Sequence, residues 1–100
     1  MAKVFIINDL NHNFDKAARF GELHYATTGK VPIFKTDIAK RMLQEGLTGF
    51  NVEEDFLLIS GPAIMCIMAT LIVIDGSHPH IKTLVFDAKE QDYVVRHLSI

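Results

Sequence analysis

FLLISGPAIMCIMATLIVI, residues 56–74, holds no charged side chain and admits two incompatible readings, and the choice between them sets the architecture. Its length approaches the roughly 20 residues that span a bilayer. Ser60, Gly61 and Pro62 interrupt it, however, and such a break in lipid would strand backbone polar groups. The flanks argue the same way. Glu53, Glu54 and Asp55 precede the stretch and Asp75 follows it, with no cluster of Lys or Arg to orient a span. It therefore reads as a buried strand over 56–59, a glycine turn, and a helix up to 74 with Pro62 as the first helical residue, where no amide donor is needed. A helix apolar on every face must be covered nearly all round. A chain of 100 residues supplies that cover with difficulty, so a homo-oligomer is expected, with Met65 and Met68 placed in the assembly surface.

On the amino-terminal side, residues 4–7 are a continuous β-branched and aromatic run, which suits a strand covered on both faces. Asn8 and Asp9 end it. Asn13 or Asp15 caps a short helix that runs to Phe20 and stops at Gly21. Residues 23–28 read as a second strand, with Thr28-Gly29-Lys30 as a turn before a further extended segment at 31–34. Pro32 confines that segment to an edge or to irregular structure. Thr36 or Asp37 caps the next helix, along which Ile38, Ala39, Met42, Leu43, Leu47 and Phe50 recur at helical spacing until Gly46 or Gly49 ends it. Beyond the central stretch, 81–86 and 93–98 read as strands joined by a polar turn, an antiparallel hairpin. Alternating strands and helices favour one α/β domain over residues 1–100. The expected form is a three-layer, mostly parallel sheet of Rossmann or flavodoxin-like type, with right-handed crossovers and an antiparallel edge hairpin at the carboxyl end.

Composition narrows the setting. Hydrophobic residues make up 49% of the chain and charged residues 22%, a balance that excludes disordered and collagen-like classes. Ten basic and twelve acidic side chains leave a formal charge of −2, too even for a platform that binds long nucleic acid. Lys30, Lys35, Lys40 and Arg41 are read as a solvated face. Cys66 is single and makes no internal disulfide, and the apolar run at 4–7 is too short for a secretory signal. A cytoplasmic protein without membrane insertion is expected.

In an open parallel sheet, ligands sit beyond the carboxyl ends of the strands. Those ends supply Asn8 and Asp9, then Thr28 and Gly29 beside Thr27, then Ser60 and Gly61, then Asp87, with His12 close behind the first strand. These are the ligand-binding candidates. Ser60-Gly61-Pro62 leads a strand into a helix and can present free amides to an anion, although ordinary capping by Ser60 explains the same residues. Neither G-x-G-x-x-G nor G-x-x-x-x-G-K-[ST] occurs, and Ser60 is not in a G-x-S-x-G setting. Asp9, Asp87 and His12 offer two carboxylates and an imidazole, though carboxylates also end strands as turn residues. His78-Pro79-His80, even with His24 or His97, matches no recurring zinc pattern and reads as a loop. No metal, cofactor or catalytic residue is assigned.

At Gly21-Glu22-Leu23, Thr28-Gly29-Lys30-Val31, Ile33-Phe34-Lys35-Thr36-Asp37, Asp55-Phe56-Leu57-Leu58-Ile59-Ser60-Gly61 and Phe86-Asp87, the chain resembles small uncharacterised proteins encoded by tailed phages and prophages. The likeness spans most of its length. It implies a viral accessory context, in which a small protein acts by binding a host or phage partner, and it transfers no catalytic residue. The expected function is accordingly a non-enzymatic accessory protein acting by self-association and partner binding. The alternative is a module or enzyme for a nucleotide or phosphorylated metabolite, with its site at the strand ends.

Overall fold

The apolar runs form the strands β1 (Lys3–Ile6), β2 (Glu22–Tyr25), β3 (Phe56–Leu58), β4 (His80–Asp87) and β5 (Asp92–Ser99). A 3-10 helix, η1 (Asp15–Phe20), and two α-helices, α1 (Thr36–Gly46) and α2 (Ala63–Val73), complete the computed structural model, which describes residues 1–74 and 80–99. The strands lie in the order β2-β1-β3-β4-β5. The first four are mutually parallel, with Val4 beside both Leu23 and Phe56 and Leu57 beside Thr83. The last pair is antiparallel, Phe86 facing Tyr93.

Strand alternation explains the two cores. Phe5 and Ile7 of the β1 segment, Leu57 of β3 and Ile81 of β4 point to the side covered by α1 and α2, where they meet Leu43, Leu47, Met65 and Ala69. Val4, Ile6, Leu58 and Leu84 point to the other side and meet Phe14, Ala17 and Tyr93. Central strands buried on both faces leave no room for polar alternation, which is why residues 4–7 and 56–58 are wholly apolar. The sheet thus lies between a helical layer and a thinner layer made by η1. Arg19 of η1 pairs with Asp92, and its guanidinium also donates to the Tyr93 carbonyl, so the 3-10 helix is tied to the start of β5. A radius of gyration of 12.7 Å agrees with the ~13 Å of a compact 100-residue chain.

Several sequence expectations need correction. Residues 31–34 form no strand: Lys35 N–H donates to the Pro32 carbonyl in a turn that runs directly into α1. Because that turn precedes the helix, Lys35 stands at the N-cap, and neither Thr36 nor Asp37 caps it. Pro62 likewise precedes α2 at its N-cap, with its carbonyl accepting the amides of Met65 and Cys66. Within the single chain α2 is covered on one face only. Met65, Ala69 and Val73 form its buried face, whereas Ile64, Ile67 and Leu71 are 38%, 56% and 72% exposed. Met65 belongs to the interior, so it does not lie in an outward surface. Among the described residues no helix is long and apolar enough to cross a membrane, since the uncharged stretch divides at Gly61. His78 and Pro79 lie outside the described residues, and His80 opens β4.

Candidate functional site

The chain leaves β1 toward η1 on one side of the sheet and leaves β3 toward α2 on the other. Where adjacent parallel strands depart in opposite directions, their loops part and a crevice opens. A small polar network floors it. Ser60 Oγ donates to the Asn8 carbonyl at 2.8 Å and accepts the Asn8 N–H at 3.4 Å, so Ser60 joins β3 to β1 and does not cap α2. Thr27 Oγ1 donates to the Ile7 carbonyl at 2.7 Å and lies 3.0 Å from Asn8 Oδ1. Asn8 is only 2% exposed. Its side chain packs against Gly61, whose φ of +90° carries the backbone sharply from strand to helix. A Cβ on Gly61 would stand 2.8 Å from Asn8 Cβ.

On the η1 side of this floor lies a cleft of about 300 Å³. The β1–η1 connection contributes His12, Asn13 and Phe14, and the β4–β5 hairpin contributes Phe86 and Tyr93, with Ser60 and Gly61 between them. The rings meet edge to face: His12 on Phe14 at 6.2 Å between centroids, Phe86 on Tyr93 at 5.3 Å. Tyr93 is 6% exposed, its burial pushes the phenol above its ordinary pKa, and its hydroxyl bonds to no described residue. On the α2 side of the turn, burial raises the Cys66 thiol, whose S–H donates weakly to the Ser60 carbonyl at 3.5 Å. It stays protonated at neutral pH and is a poor nucleophile. A larger hollow of about 660 Å³, lined by Leu47, Phe50, Asn51 and Ile72, opens on the approach to β3, at the amino end of the strands. Its greater volume does not make it the better site, because crossover loops diverge at the opposite end.

The structure divides the sequence candidates into three groups. Asn8, Ser60, Gly61 and His12 gather at the cleft and its floor. Asp9, Thr28 and Gly29 form a neighbouring rim, through the Asp9–Thr28 bridge and the 2.8 Å bond from Gly29 N–H to the Asp9 carbonyl. Asp87 stands apart, its carboxylate accepting the amides of Lys89 and Glu90 in the hairpin turn. Asp9 is similarly occupied, accepting the His12 N–H at 3.0 Å. The carboxylates of Asp9 and Asp87 with His12 therefore do not converge, and no group of three or more metal-ligating side chains occurs among the described residues. Sequence reading missed Phe14, Phe86 and Tyr93 as lining residues. Their signal was available only once the hairpin register set Phe86 opposite Tyr93 at the carboxyl edge.

A small α/β protein with a mixed five-stranded sheet and an aromatic crevice at its strand ends is the class these features define. The model of the phage Pam3 gp32-like protein family matches residues 2–100, and the chain belongs to that family. No curated protein and no solved structure matches it.

Proposed function

We propose that the chain is a one-domain phage accessory protein that acts by pairing with a second copy of itself and offering its strand-end loops to a host or phage protein. The exposed row Ile64, Ile67 and Leu71 on α2 carries this reading. These residues follow one another at three- and four-residue spacing, so they share a face, and no charge on α2 opposes a second copy across a two-fold axis. Val85 and Leu98 add apolar surface on the same side of the sheet, since Val85 alternates in step with Ile81 and Leu98 pairs with it. The strand order further supports a flavodoxin-like doubly wound sheet of reduced size. The lone, half-buried cysteine fits a reducing cytoplasm.

Light scattering tests the association. The native protein is expected to run as a dimer or larger species at micromolar concentration, and Leu71→Asp as a folded monomer. A wild-type protein that stays monomeric at every concentration overturns the reading. Met65→Asp is the wrong variant, because a carboxylate there enters the core and unfolds the chain.

A second reading rests on a different observation, the crevice where the β1 and β3 connections part. It makes the strand ends a small-ligand site, with Asn8, Asp9, His12, Thr28, Gly29, Ser60, Gly61 and Asp87 as the sequence candidates.

A further inference from the structure

We propose that the strand-end cleft binds a nucleobase-sized planar heterocycle, held by the rings of Phe86 and His12 and hydrogen-bonded by the Tyr93 hydroxyl. This rests on the small-ligand reading and replaces its phosphate with a ring as the recognised group. Three features carry it. Aromatic side chains reach the cleft from two separate elements, the β1–η1 connection and the β4–β5 hairpin, and Phe86 is 46% exposed there. Flat, half-exposed rings offer stacking surface to a planar ligand. Secondly, Tyr93 is more than nine-tenths buried, yet its hydroxyl has no protein partner among the described residues. The hydroxyl keeps contact with solvent, so it can exchange water for an acceptor on a ligand lodged in the cleft. Thirdly, no Lys, Arg, Asp or Glu lines the cleft, so no permanently charged side chain in its walls neutralises an ion. The volume of about 300 Å³ lies at the lower end of small-molecule sites and suits one ring system with a short substituent. A carbocyclic ring would leave the Tyr93 hydroxyl unpaired, and a heterocycle with a polar edge does not.

Amide-resolved NMR titration of the full chain tests this, with adenosine, guanosine, cytidine and uridine as separate probes, and ribose 5-phosphate and inorganic phosphate as further arms. At least one nucleoside is expected to shift the amides of His12, Ser60 and Gly61 saturably. Tyr93→Phe is expected to weaken it about fivefold, the scale of one net hydrogen bond. Phe86→Ala, at a half-exposed position where folding survives, is expected to weaken it about tenfold, as loss of a stacked ring does. Response to the phosphate arms alone overturns the heterocycle and leaves a small-ligand site standing. Silence from every probe overturns both, and so do nucleosides whose shifts fall away from the cleft. Unchanged affinity in folded Tyr93→Phe and Phe86→Ala overturns the assignment of the ring site.

Discussion

Gly61 shows how one residue holds two elements in place. Its φ of +90° lies where side chains with a Cβ are strained, and the missing Cβ lets Asn8 pack against the turn. Gly29 has a comparable φ of +71°, but a Cβ there would meet nothing within 4 Å. The pair separates backbone strain from crowding. Gly29→Ala is expected to cost roughly 1–2 kcal/mol, the left-handed penalty alone. Gly61→Ala adds a steric clash in the Asn8 network and is expected to cost about 2–4 kcal/mol. Urea unfolding of both variants checks the difference, and equal losses would show that Asn8 yields freely. The glycine was legible in the sequence because it broke an uncharged run. Its partner was not, because Asn8 and Ser60 stand 52 residues apart and only the β1–β3 pairing brings them together.

Among the elements, η1 does the work that a full helix performs on the opposite side of the sheet. It runs for only six residues and buries Ala17, so it depends on outside anchors. Arg19 is the main one, stacking on Phe20 at 4.3 Å while pairing with Asp92. The Arg19 guanidinium, with help from the Tyr93 amide, holds the Asp92 carboxyl below its ordinary pKa. A depressed acid adds stability above its unfolded value, near pH 4, and surrenders it as pH falls through the lower folded value. Asp92→Asn removes that titration. Its melting temperature is therefore expected to fall less steeply than the wild type's from pH 4 to pH 2, with parallel slopes as the opposing outcome. The effect is small, because both side chains are well exposed. Sequence pattern located η1 and its Gly21 stop but not its 3-10 geometry. The failure at 31–34 has a related cause: Val31, Ile33 and Phe34 carry strand propensity, while Pro32 cannot donate to a ladder.

For the molecule as a whole, protection should follow the sheet order. β1 and β3 sit between other strands and under both layers, whereas β2 is a short edge strand with Glu22, His24 and Tyr25 exposed. Hydrogen exchange is expected to be slowest in β1 and β3 and fast in β2, as local openings precede global ones at poorly covered edges. Slower exchange in β2 than in β1 would contradict that ranking. The alternation of elements was readable because the central strands are apolar on both faces. The mixed sheet followed from the polar turn at 88–92. Strand order was not readable, since local runs such as 4–7 and 56–59 carry no record of which neighbour each one takes. The cleft depends on that order, so Tyr93 and Phe86 looked like ordinary core until β4 and β5 were placed beside β3.

The bond from Arg19 to the start of β5 also has a geometric result. It anchors the η1 bank of the crevice, which belongs to neither the sheet nor the hairpin, to the start of β5. Adding a turn to η1 would swing that bank outward and enlarge the mouth while every strand kept its register. The aperture is thus adjustable through the least regular part of the chain, without rebuilding the scaffold that surrounds it.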